Sequence, residues 1–227
     1  NLIFIMGTKL FLSIASLLTS ISILKAQETA TVEVKNPPVV VETVFGDKAL
    51  GFQTNFQKKL TSAPKFGIFA VSDIIGTWDK DHTDGFMVQG NITYEFAQNF
   101  NLMGGFHMAT GVDIRPAVGV IYSKGSPYYV IVFNPRYYID DNGEMEAFLL
   151  GEYKPKLSDN WRFYSKIQAM YAALTNEGNP HTRSYLRLRA GVNYNEISFG
   201  LASNFEYFGS PKFNQNNFGL FVSTALF

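Results

Sequence analysis

Three histidines and a scatter of charges inside apolar segments are the residues of this chain best placed to do chemistry. His82 stands in "DKDHTD" with Asp79, Asp81 and Asp84, a run of oxygen and nitrogen donors that suits a divalent cation or acid–base work. A calcium loop also needs a glycine at its sharp turn and a glutamate at its end, and this run lacks that spacing. Nothing local fixes the four side chains against each other, so the run reads as a solvated loop tip. His181 follows Pro180 in a second polar link and takes the same reading. His107, in "GGFHMAT", shares one face of an alternating segment with Met103 and is expected to point into an enclosed interior.

Composition narrows the choices. Cysteine is absent, which removes disulfides, thiol nucleophiles and cysteine-held metals. Lys and Arg number 19 and Asp and Glu 19, so the net charge is zero and no electrostatic case exists for a nucleic-acid partner. No motif calls for a cofactor. Aromatic residues reach 15% while charged residues are only 17%, more ring surface than an ordinary soluble core uses.

The elements that must position the charges are strands. "GFMVQGNITYEF" alternates Phe86, Val88, Gly90, Ile92, Tyr94 and Phe96 against Met87, Gln89, Asn91, Thr93 and Glu95. "SYLRLRAGVNY" sets Leu186, Leu188, Ala190, Val192 and Tyr194 against Tyr185, Arg187, Arg189 and Asn193. The period is two, with one apolar face and one polar face, from residue 49 onward. Rings gather near segment ends, as at Trp78, Tyr94, Phe96, Trp161 and Tyr194, which suits the two interfaces of a bilayer. Strands are expected near 49–59, 66–78, 86–96, 100–109, 117–123, 128–139, 144–154, 161–173, 185–194, 197–208 and 218–227. That makes eleven. A closed antiparallel bacterial barrel has an even number, so 39–45 is the candidate twelfth strand; ten strands is the alternative, with "SKGSPYY" as the place of a miscount. Compact links such as "KPKLSDNW" and "YNEIS" alternate with longer ones such as "DKDHTDG", "ATGVDIRP" and "TNEGNPHTRS", placing tight turns on one rim and loops on the other.

The N-terminal region reads as export machinery. Lys9 precedes the apolar run from Leu10 to Leu24, and Ala26 offers a small residue for cleavage. Residues 1–26 are therefore expected to be a signal peptide with upstream residues, 27–44 a periplasmic lead-in segment, and 45–227 the transmembrane β-barrel. In the last strand Phe218, Leu220, Val222 and Leu226 face outward, which turns Phe227 the other way unless a bulge near Ser223 intervenes.

By the same parity the barrel lumen receives Asp73, Glu95, His107, Arg136, Glu146, Glu152, Arg162, Lys166, Arg187, Arg189 and Glu206. On one side five cations, Arg136, Arg162, Lys166, Arg187 and Arg189, stand against three carboxylates, Glu146, Glu152 and Glu206. That excess implies a weak anion preference if the bore is open.

With its export signal, alternating segments, "NPRYY" and "LSDNW" phrases and terminal "FVSTALF", the chain resembles bacterial outer-membrane β-barrel proteins, in particular the small aromatic-rich barrels of Bacteroidota. The resemblance implies an all-β fold in the Gram-negative outer membrane, contact with its lipids, and recognition of the C-terminal strand by the barrel-assembly machinery. It says almost nothing of activity. The functional expectation is a porin-like channel or passive transporter for small polar solutes. The alternatives are a structural or accessory barrel with a filled, salt-bridged lumen and, behind it, a lipid-acting barrel enzyme. The outer-membrane phospholipases carry a His and a Ser-Asn motif that has no match here, so no catalytic residue is expected.

Overall fold

The computed structural model describes residues 36–78, 84–141, 143–176, 178, 180–209 and 213–227. The expected signal peptide and the Asp79, Asp81 and His82 cluster lie outside the described residues. The chain forms β1 (Val39–Gly46), β2 (Ala49–Leu60), β3 (Ala63–Thr77), β4 (Gly85–Ala97), β5 (Phe100–Ala109), β6 (Val112–Gly125), β7 (Tyr129–Tyr138), β8 (Glu144–Tyr153), β9 (Trp161–Leu174), β10 (His181–Tyr194), β11 (Ile197–Phe208) and β12 (Phe213–Leu226). Each strand pairs antiparallel with its sequence neighbours, and β1 closes the ring against β12 from Val39↔Leu226 to Gly46↔Gly219.

The twelfth strand is the segment at 39–45, so the barrel begins at Val39 and not at residue 45. The reason lies in the backbone. β1 pairs on one side with β12 and on the other with β2; without it two strand edges would carry unpaired N–H and C=O groups into hydrocarbon, at several kcal/mol per group. Four strands begin earlier than their hydrophobic patterns suggest: β3 at Ala63 and, by a wider margin, β6 at Val112, β10 at His181 and β12 at Phe213. There the polar residues continue the alternation beyond the apolar belt. "ATGVDIRP" accordingly collapses to a two-residue turn at Thr110 and Gly111, with Gly111 at a φ of 72° that favours glycine.

The two rims differ. On the rim that holds both strand termini, Asn99 and Asn195 take positive φ in two-residue turns, a conformation Asn tolerates. The seven-residue link 154–160 belongs to this rim too. It folds back on itself, with Leu157 N and Ser158 N donating to the Trp161 carbonyl. The opposite rim carries 78–84, 139–143, 175–180 and 209–212 and is called the loop rim below.

The barrel is inverted relative to a soluble domain. Its outward residues are large and apolar, among them Ile92, Leu201, Leu220 and Phe199, while Gln53, Gln89, Asn91, Gln168 and Arg187 are buried inside. An outer surface of this kind in water would be one continuous apolar patch; in lipid it costs nothing. Rings cluster at the turn rim, where Phe66 meets Tyr94 at 5.0 Å, Phe100 meets Tyr122 at 4.9 Å and Trp161 meets Tyr194 at 4.9 Å. β12 keeps an unbroken register with both neighbours, so there is no bulge near Ser223. Phe227 lies past the last ladder pair and is 90% exposed, free of the parity that binds Leu226.

One stretch of wall is drawn in by glycine. Gly191 of β10 faces Gly200 of β11, and a Cβ on Gly191 would lie 2.1 Å from the Phe199 carbonyl oxygen. The neighbours in register are Tyr164 beside Gly191 and Phe221 beside Gly200. Small residues leave room for those two rings to meet inside the lumen at 5.4 Å.

This arrangement has a direct solution test. Purified protein in detergent is expected to give a β-dominated circular dichroism spectrum and to migrate faster on gels before boiling than after. A stable monomer without detergent would contradict the apolar belt.

Candidate functional site

Period-two alternation sends every second side chain inward, and ring closure decides which of them meet. Glu42 of β1, only 3% exposed, receives Lys166 of β9 and Arg189 of β10, whose Nη2 is 2.9 Å away. Arg189 also donates to Asn204 at 2.8 Å. Arg187 sits between two carboxylates. It reaches Asp73 of β3 at 2.7 Å and holds Glu206 of β11 through Nε at 2.9 Å. Arg183 adds a second cation to Glu206 at 2.8 Å. β3 and β10 lie five places apart around the ring, so the Asp73–Arg187 pair spans the lumen. Gln168 of β9 reaches Gln53 of β2 at 3.1 Å in the same way. The space left among Glu42, Gln53, Asp73, Arg187, Arg189 and Asn204 is about 10 Å³, roughly the room of one water. Below it Tyr164 and Phe221 pack with Val44 and Ala202.

Charge burial explains why the contacts come in clusters. A guanidinium or carboxylate taken out of water loses several kcal/mol of solvation, recovered only where partners satisfy its remaining lone pairs and protons. Two-pronged Arg–carboxylate contacts meet that need better than single ones.

The other residues expected in the lumen divide by height. Arg136 pairs with Glu146 at 2.8 Å and touches Gln89, and the Tyr138 hydroxyl donates to Glu146 at 2.7 Å. Glu152 accepts from Lys154 at 2.6 Å and from the Tyr164 hydroxyl at 2.9 Å. Glu95 pairs with Lys59 near the turn rim. Arg162 stands at that rim too, donating to the Pro127 carbonyl at 2.8 Å beside the Tyr128 ring. His107 is 7% exposed and packs against Tyr138 at 4.9 Å. His181 is not a loop residue. It opens β10, with Nε2 2.9 Å from the Ser184 hydroxyl and Nδ1 2.8 Å from the Gly209 carbonyl.

Above the paired charges the lumen opens into a vestibule of about 800 Å³ facing the loop rim. Asp73, His107, Glu146 and Met170 line its deep end, and Asp84, Asp113 and Asp141 its mouth. Arg115 projects into it over the Tyr138 ring at 3.7 Å, bonded to Asp140 at 3.1 Å and Glu144 at 2.5 Å. Glu144 also accepts from the Thr182 hydroxyl at 2.6 Å. The Thr77 backbone N–H and then its hydroxyl donate to Asp84, which holds that exposed carboxyl below its ordinary range and keeps it ionised. Among the described residues no three His, Asp or Glu side chains are grouped to hold a metal ion.

Four members of this arrangement escaped the reading of the sequence. The sequence pattern puts Glu42 in the lead-in and Arg115 and Arg183 in loops, and it gives Glu144, at the start of a strand, no part in the lumen. The signal was present: Glu42 alternates with Val41, Thr43 and Phe45, and Asp113 and Arg115 carry the inward parity of Ala117.

Comparison with known proteins agrees with this fold. No family model matches the chain, and no curated protein matches it. Solved structures do. The NanC porin in its rhombohedral crystal form superposes with a TM-score of 0.50 at 11% identity, over 83% of this chain and 100% of that one. The KdgM porin in complex with disordered oligogalacturonate gives 0.46 at 10% identity, over 83% and 99%. OprD of Pseudomonas aeruginosa gives 0.42 at 11%, over 85% and 65%. At such identities the likeness is one of fold: a closed, antiparallel, membrane-spanning β-barrel of the bacterial outer-membrane kind.

Proposed function

We propose that this chain is an outer-membrane channel of narrow bore for small polar solutes, entered from the loop-rim vestibule and restricted by the paired charges beneath it. The observation that carries the reading is a vestibule with charged side chains in its wall, large enough for a small molecule, ending on a lumen-spanning Asp73–Arg187 pair instead of an apolar plug. Paired charges of this kind exchange partners with a passing solute, whereas packed aliphatic side chains have nothing to exchange. Lipids of the bilayer are its solvent. The assembly machinery is its partner during insertion, through β12, and the reading includes an export signal over 1–26. The likeness to small Bacteroidota barrels rests on the sequence phrases that suggested it.

The anion preference expected from the sequence depended on five cations facing three carboxylates. Glu42 and Asp73 now join that group as partners of Lys166, Arg189 and Arg187, Arg136 is held by Glu146, and Arg162 stands away at the turn rim. Cations held one by one by carboxylates supply no lasting bias, and selectivity in this reading falls to the vestibule.

A specific observation favours the second reading, a structural barrel with a filled lumen: Tyr164 and Phe221 are 2% and 0% exposed inside it. Planar-bilayer recording separates the two. The channel reading expects small, discrete conductance steps from the parent protein, enlarged when Lys166→Ala and Glu42→Ala are combined to empty the layer. Silence from both proteins, each shown folded by heat-shifted gel mobility, would leave the structural barrel. The enzyme reading gains no support, since His107 faces the lumen against Tyr138 and not the lipid.

A further inference from the structure

We infer that the vestibule is a binding site for small organic cations, a diamine or similar molecule with an apolar stem and charged ends; this rests on the channel reading and names its solute class. Charge gives the first argument. The two cations lining the space, Arg115 and Arg183, are already held by carboxylates, Arg115 by Asp140 and Glu144 and Arg183 by Glu206. Asp84, Asp113 and Asp141 line the same space and have no cationic partner among the described residues. Three unmatched carboxylates around a recess with low-dielectric walls concentrate cations at its mouth.

A second observation, independent of the acids, lies at the deep end. His107 is 7% exposed, lines the vestibule, and its Nδ1 has no hydrogen-bond partner among the described residues. A buried ring nitrogen without a partner is costly, and a ligand N–H or hydroxyl reaching the ring would offset that cost. The lining is partly apolar, through Met87 and Leu174 and, at the deep end, Met170. A bare metal ion would leave that lining and most of the volume unused. A flexible organic cation fills both, with one end at the carboxylates and its stem along the methionines.

Cadaverine tests this against two molecules of the same carbon chain, glutarate and pentanediol. Calorimetry on the detergent-solubilised protein needs no conduction, so it stands apart from the bilayer recordings. Expected is saturable cadaverine binding at least about tenfold tighter than either analogue, weakening between about 0.1 M and about 1 M salt as the screening length falls from about 10 to about 3 Å. Combining Asp84→Asn, Asp113→Asn and Asp141→Asn, all at the exposed mouth, should weaken it by about tenfold or more. His107→Phe, which keeps a ring on Tyr138 but removes both nitrogens, should weaken it independently. No binding, equal binding of glutarate, an unchanged triple variant, or magnesium ion bound as tightly as cadaverine would each overturn the inference. Conduction without cadaverine binding defeats this inference alone; cadaverine binding without conduction defeats the channel alone.

Discussion

Arg187→Ala is expected to destabilise the folded barrel by about 3–5 kcal/mol, the cost of leaving buried carboxylates without their cation. The residue is 3% exposed and stands between Asp73 and Glu206, so its loss affects both. Arg183 still holds Glu206, but Asp73 loses its only ion-pair partner among the described residues. The same substitution removes a long side chain that crosses the lumen beneath the vestibule, and conductance in planar bilayers should rise as stability falls. Denaturant unfolding in phospholipid vesicles measures the first effect and single-channel recording the second. Unchanged stability would mean that the carboxylates reach water without Arg187, and the lumen would then be wetter than the roughly 10 Å³ gap beside that residue allows.

One residue further along, the opposite chemistry should be costly. Leu188 lies at the middle of β10 and faces outward, 37% exposed on the lipid side. Leu188→Arg places a guanidinium in hydrocarbon near the midplane, at an expected cost of about 2–4 kcal/mol. Leu188→Ala separates charge from lost apolar contact; it removes a few methylenes from lipid and should cost far less. The contrast between neighbours is the informative part. Position 187 needs its charge and position 188 refuses one, because the strand pleat turns them to opposite faces. Equal tolerance of charge at both would reverse the assignment of inside and outside along the whole of β10 and, through unbroken pairing from Arg183 to Tyr194, along β11.

The second position was legible in the sequence and most of the first was not. Leu186, Leu188 and Ala190 alternate with Arg187 and Arg189 in the chain itself, and a pleated strand has a period of two whatever it pairs with. That local rule was enough to give the strand class, the apolar face and the inward residues, and the even parity of closed barrels made 39–45 the candidate twelfth strand. It was weakest at strand ends. Beside Arg183 the apolar face stops at Leu186, with Ser184 outward and a register shift between His181 and Arg183, so hydrophobic contrast fades before the strand does; at Arg115 the contrast persists in Ile114 and Pro116, but the glycine and proline of the phrase read as a loop.

Partnership across the lumen obeys no local rule. Glu42 and Lys166 are 124 residues apart, on strands that do not pair. Asp73 meets Arg187 only because twelve strands, closed in one register, bring β3 opposite β10. A ring of ten, or a shift of two residues between β1 and β12, would keep every side chain on its own face and yet give each charge a different partner. The sequence by itself therefore determined which residues face inward, from alternation, and a membrane barrel, from alternation joined to the ring-rich apolar face and the export signal. Closure alone decided that the inward charges neutralise one another beneath an acidic vestibule, since facing distances across a ring depend on the number and stagger of all its strands.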